Sequence, residues 1–248
     1  MKFVSTKVTV FSLIFILGGI LTSALLATEI FDEPTVTDSL PAQNYLSIND
    51  VDSVGTDENE RYLHLTENDF NLVAEELDVE VAAIKAVVEI EAGKAMKGFW
   101  APGIPVINFD RTMYNKYRTK AQSKVGATGE SVPEGLTGYA LKEWTELIKA
   151  RKINAEGANL GTFWGMFQIG GFNYKLCGCQ SVDEFVKRMA FSELEQLQLF
   201  ALFITNSGMV ESLRKKDWAS FARKYNGPSY AKRGYHTKMA KAYAKYSI

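Results

Sequence analysis

Ile84, Val87, Val88 and Glu91 fall at i, i+3, i+4 and i+7 within the segment from Asp78 to Ala92, the spacing of one helical face. At roughly 100° per residue Glu91 lies within about 20° of Ile84, so a carboxylate shares the face that must be buried. Gly93 follows Ala92, ends the helix and opens the carboxylate onto a loop. A carboxyl at the mouth of an apolar pocket is disfavoured in its charged form, which raises its pKa toward that of a general acid, the group that cleaving an acetal requires. The plainer alternative is a core carboxylate satisfied by a structural partner. Glu89 reads differently, because it points about 140° away from Ile84 and follows Lys85 by one helical turn, as a solvated ion pair does.

Two other stretches carry candidate side chains: Trp164-Gly165-Met166-Phe167-Gln168-Ile169-Gly170 and Tyr225-Asn226-Gly227-Pro228. The Gln168 amide can hold a substrate acetamido group or a water, or it can tie its loop to the backbone. Trp164 and Phe167 can stack on the apolar faces of pyranose rings or can be ordinary core. Tyr225 and Asn226 end a helix whose turn Gly227 and Pro228 complete.

The elements that must position these residues are mostly helical. Thr66, with Asp69 three residues on, predicts an N-cap for a helix over Glu67 to Leu77, and Asp78 is expected to cap the next. Gly98 to Phe109 holds two prolines, two glycines and Val106-Ile107, and predicts a short hairpin or loop with brief strands. Tyr117 to Gly138 reads as a surface excursion. Further helices are expected near Tyr139 to Lys152, Val182 to Asn206, Met209 to Lys215, Trp218 to Tyr225 and Ala231 to Tyr246.

Composition changes along the 248 residues. Residues 1–27 carry Lys2 and Lys7 and then an uncharged run from Val8 to Ala27, which predicts a cleaved signal peptide or an uncleaved membrane anchor. From Thr28 to Glu60 there are nine Asp or Glu and no Lys or Arg, so 28–62 is expected to be a disordered acidic linker. Residues 63–248 make a domain large enough for its own core. After the first sixty residues 26 basic side chains face 20 acidic ones, which suits an anionic polymer without identifying one. Cys177 and Cys179, one residue apart, read as two small buried or loop thiols rather than a disulfide. The two histidines and the lack of a Gly-rich phosphate loop give metal or nucleotide chemistry little support, so no cofactor and no metal site are expected.

Taken in order, Glu91-Ala92-Gly93, the Trp164 to Gly170 stretch and Tyr225-Asn226-Gly227-Pro228 resemble the lysozyme-like superfamily, with its catalytic Glu at a helix end, Gly-x-x-Gln loop-helix and late Tyr-Asn. The chain is more closely similar to the N-acetylmuramidase domain of phage endolysins and related bacterial proteins, over nearly all of Leu65 to Tyr246. That resemblance includes Phe109-Asp110-Arg111, Asn173-Tyr174 and Asp217 to Ala222. It implies a mainly α (α+β) lysozyme-like fold with a short β-hairpin or loop beside the groove, and cleavage of the β-1,4 bond between N-acetylmuramic acid and N-acetylglucosamine in peptidoglycan.

By the resemblance Glu91 is the catalytic acid, with Ala92 where the family motif has Ser. Asp110 matches the acid of a Phe-Glu-Arg-His motif, one methylene shorter and with Thr112 in place of the His; its alternative is a structural pair with Arg111 or another base. Tyr225 then supports catalysis, and Asn226 helps build the groove. A lytic transglycosylase forming anhydro-muramoyl products and a non-catalytic peptidoglycan-binding envelope protein remain alternatives. The expected partners are peptidoglycan glycan strands and no nucleic acid, with membrane contact through residues 8–27 if they are retained. The chain is expected to be an exported monomer of the periplasm or cell envelope.

Overall fold

Thr66 starts the first helix: its hydroxyl accepts the Asp69 N–H while the Asp69 carboxylate accepts the Thr66 N–H, and α1 (Glu67–Leu77) buries Phe70, Val73, Ala74 and Leu77. The computed structural model describes residues 64–93, 97–119 and 129–248. The leader at 1–27, the linker at 28–62 and part of the excursion after Tyr117 lie outside the described residues. Asp78 does not cap the second helix. It adopts the left-handed conformation, φ 51°, and closes α1 through its own N–H; α2 (Val81–Ala92) starts at Glu80 without a side-chain cap. A short polar residue can take that conformation where glycine would otherwise stand.

The Gly98 to Phe109 region forms strands, as its composition predicts. β1 (Phe99–Ala101) and β2 (Ile104–Pro105) make an antiparallel hairpin, and β3 (Ile107–Phe109) runs on into a second sheet. There β3 pairs with β4 (Thr162–Trp164), Ile107 opposite Trp164, and β4 pairs with β5 (Ile169–Gly170), Phe163 opposite Gly170. Between them run α3 (Arg111–Arg118), α4 (Gly138–Arg151) and α5 (Ala155–Leu160).

The single helix expected over Val182 to Asn206 is two. α6 (Val182–Met189) ends at Ala190, and α7 (Glu193–Asn206) starts afresh from Ser192, whose hydroxyl accepts the Glu195 N–H. After α8 (Val210–Arg214) and α9 (Trp218–Asn226), a 3-10 turn over Pro228–Tyr230 and a left-handed Gly234, φ 68°, delay α10 to Tyr235–Tyr246. The core gathers on α7: the Phe200 ring stacks on Phe167 at 4.3 Å and meets Tyr225 edge-on at 5.8 Å, and Leu197, Phe203 and Ile204 are buried beside it. Each ring so withdrawn from water contributes on the order of 2 kcal/mol. α2 packs along α10, and α9 packs on α10, so the ends of α2 and α9 come together.

Candidate active site

Two helix ends meet at the acid. Glu91, in the last turn of α2, accepts a hydrogen bond at Oε1 from Nδ2 of Asn226, the last residue of α9, at 3.1 Å. Both helices stop in the same way, Gly93 at φ 75° and ψ 174° and Gly227 at φ 74° and ψ −174°. That region is open essentially to glycine alone. A Cβ on either glycine would meet nothing within 4 Å, so the backbone conformation, and not crowding, demands glycine there.

Glu91 is only 3% exposed, on a face shared with the fully buried Ile84, Val87 and Val88. Burial pushes its carboxyl up to about 8, opposed by the hydrogen bond from Asn226. It therefore holds a proton at neutral pH. Since Oε1 is already an acceptor for the amide, the proton belongs on Oε2, which is buried and has no partner among the described residues. Asn226 Oδ1 is likewise buried and unpartnered. Two orphaned buried oxygens at one junction are costly unless a ligand or water completes them.

Tyr225 directly precedes Asn226, the residue that holds Glu91. It is fully buried, its hydroxyl donates to the Phe167 carbonyl at 2.9 Å, and its ring lies among Phe200, Phe203 and Phe221. It locks α9 to the turn after β4. A second tyrosine, Tyr235, is the first residue of α10 and 3% exposed. Its phenol is pushed up first by burial and then by the charge of Glu91, with Arg233 opposing. Sequence reasoning missed it; the only signal was its position just past the Tyr-Asn-Gly-Pro turn.

Gln168 closes the connection between β4 and β5, which is a turn between strands where a loop-helix was expected. It sits at φ 49°, its N–H and its Nε2 donating to the Gly165 carbonyl at 3.2 and 2.9 Å. The amide thus ties the loop to the backbone. Trp164 and Phe167 have no exposed surface, which corrects the expectation that they offer faces to a sugar. The Trp164 indole donates to the Asn159 carbonyl at 3.1 Å, and Phe167 is stacked on Phe200. They belong to the packed core.

Asp110 caps α3, its Oδ1 accepting the N–H groups of Thr112 and Met113 at 2.8 and 2.9 Å. Arg111 pairs with Glu146 rather than with Asp110. The buried Glu143 of α4 accepts the Phe109 N–H at 2.8 Å and so fixes the strand that delivers Asp110. Gln196 of α7 was also missed by sequence reasoning. Wholly buried, it accepts the Met166 N–H at 2.8 Å and donates to the carbonyls of Met189 and Gly98 at 2.8 and 3.2 Å, while Glu193, one turn earlier, accepts the Gly98 N–H at 2.8 Å. One helix thereby clamps both the β4–β5 turn and the start of the hairpin. Cys177 and Cys179 are free and buried; burial drives the first thiol well above its ordinary value and the second to about 11, so neither is an available nucleophile.

The family model Muramidase, described as N-acetylmuramidase, matches residues 80–247. Among solved structures, the crystal structure of the Burkholderia AP3 phage endolysin is 36% identical, with a TM-score of 0.62 over 74% of this chain and 71% of that one. No curated protein matches the chain.

Proposed function

The chain belongs to the N-acetylmuramidase family, and we propose that it is a peptidoglycan hydrolase that cleaves the β-1,4 bond between N-acetylmuramic acid and N-acetylglucosamine, with Glu91 as general acid. The observation that carries this reading is the buried Glu91 carboxyl, raised to about 8, with one oxygen held by Asn226 and the other unpartnered. The Oε2 proton passes to the glycosidic oxygen as its bond to the muramoyl C1 breaks, and the sugar departs as a neutral alcohol. Positive charge on the muramoyl ring grows as Glu91 becomes a carboxylate. Water completes the reaction at C1, its proton taken by a carboxylate.

Asp110 is the proposed partner for that water. Its Oδ1 is committed to the α3 cap, which leaves Oδ2 as the oxygen for the second role. The same commitment favours one other reading, a lytic transglycosylase, in which a single acid suffices and the muramoyl 6-hydroxyl replaces water. A peptidoglycan substrate also implies an exported location, which we include in the proposal. Digestion of purified peptidoglycan by the full chain, with mass spectrometry of the soluble products, tests it. Reducing muramic acid ends support the hydrolase, anhydro ends the transglycosylase, and the absence of products from the full chain would overturn both. Asp110→Asn keeps a capping side chain and removes the charge, so a loss of rate with unchanged folding would support its role toward water.

A further inference from the structure

We infer that the segment from Tyr230 to Lys238, which leads into the first turn of α10 beside Glu91, is a cationic rim that binds the carboxylates of the peptide stem carried by the muramoyl residue. This rests on the proposed substrate and adds a recognition site to it.

Position comes first. The segment follows closely on Asn226, which holds Glu91, and leads into α10, which packs along the helix that carries Glu91. It therefore borders the acid. Charge comes second. From Trp218 to Ile248 there are seven Lys or Arg and no Asp or Glu. Several of these cations are spent elsewhere: Lys245 pairs with Glu89 at 2.7 Å, and Lys224 donates to the Gly208 carbonyl at 2.8 Å. Lys232, Arg233 and Lys238 are exposed, and none of the ion pairs among the described residues includes them.

Rings of the segment mount two cations, Lys238 and the neighbouring Arg223. Lys238 Nζ stands 5.6 Å from the centre of the Tyr235 ring. The Arg223 guanidinium lies 5.6 Å from the Tyr230 ring centre, and His236 meets that ring edge-on at 5.3 Å. The Nδ1 of His236 is buried and has no partner among the described residues. Cations held on aromatic rings lose less freedom on meeting an anion than cations on free stems.

Substrate chemistry supplies the anion. The lactyl ether that bears the stem leaves C3 of the ring whose C1 is cleaved, so a productive strand brings the stem to the neighbourhood of the acid. Stem peptides carry free carboxylates, and guanidinium and ammonium groups pair with them.

The test compares two peptidoglycans, both first freed of phosphate polymers with hydrofluoric acid: native strands, and strands whose stem carboxyls are converted to methylamides. The full chain should show a KM about fivefold lower for the native strands, and Arg233→Gln combined with Lys232→Gln should abolish that difference. An equal KM for both peptidoglycans in the parent would overturn the rim, as would a double variant that keeps the parent's preference. Cosedimentation of the Glu91→Gln chain with the two peptidoglycans reads the same preference without catalysis. Preferential binding without products would thus uphold the rim while the hydrolase reading failed.

Discussion

The Asn226 amide donates to Oε1 of Glu91 at 3.1 Å across 135 residues of chain, joining the final turns of two helices that both stop at a glycine in the same backbone conformation. The contact fixes which carboxyl oxygen is left for a substrate. It also opposes the effect of burial, so the acid and its tuning group are a single unit.

Asn226→Leu removes the donor that lowers the Glu91 pKa and leaves the effect of burial unopposed. The pKa should rise further above about 8, so the alkaline limb of the kcat/KM profile should move to higher pH while kcat falls. A pH profile of the variant on peptidoglycan checks both, and an alkaline limb moved to lower pH would contradict the assignment.

Stability should carry the cost of the buried acid. Glu91 keeps its proton up to about 8 in the folded chain, against an ordinary value of 4.5. Below 4.5 both states are protonated and nothing is lost; between the two values only the unfolded chain gains by ionising, so stability falls as the pH rises, with the full loss present above 8. Glu91→Gln cannot ionise, so its unfolding free energy should match the parent's near pH 4 and exceed it near pH 8 by roughly 4 kcal/mol. Urea titrations at the two pH values measure this.

Gly227→Ala should be destabilising although open space surrounds the position, because alanine must enter a region costing roughly 1–3 kcal/mol. Relief of that strain would move Asn226, so kcat should fall beyond what the loss of folded protein explains. Thermal unfolding and kcat measured on the same sample separate the two effects.

Gln196→Leu leaves the Met166 N–H and the Met189 and Gly98 carbonyls unpaired at a wholly buried position. The expected cost is on the order of 3 kcal/mol, read from denaturant midpoints at constant m.

Periodicity made the acid legible: the stripe from Ile84 to Glu91 and the glycine after it placed a carboxylate at the end of a buried helical face, where the structure has it. The Thr66 cap and the hairpin composition were legible for the same local reason. The β3–β4–β5 sheet was not, because strands of two or three residues have no period and their partners lie far along the chain. Nor were the places of Tyr225 and Tyr235. Both are aromatic residues at a helix end, and only tertiary packing decides what each one meets. Trp164 and Phe167 show the reverse limit, since a ring suited to a sugar is equally suited to a core.

The most direct test of Glu91 as a protonated general acid is the pH dependence of kcat/KM for peptidoglycan cleavage by the full chain, with Glu91→Gln beside it. Activity should decline as the pH rises through about 8, and the Glu91→Gln chain should fold but lose activity by a factor on the order of 1,000 or more across the range. A Glu91→Gln chain that cleaves at the parental rate, or a parental decline centred near the ordinary carboxylate value of 4.5, would contradict that role.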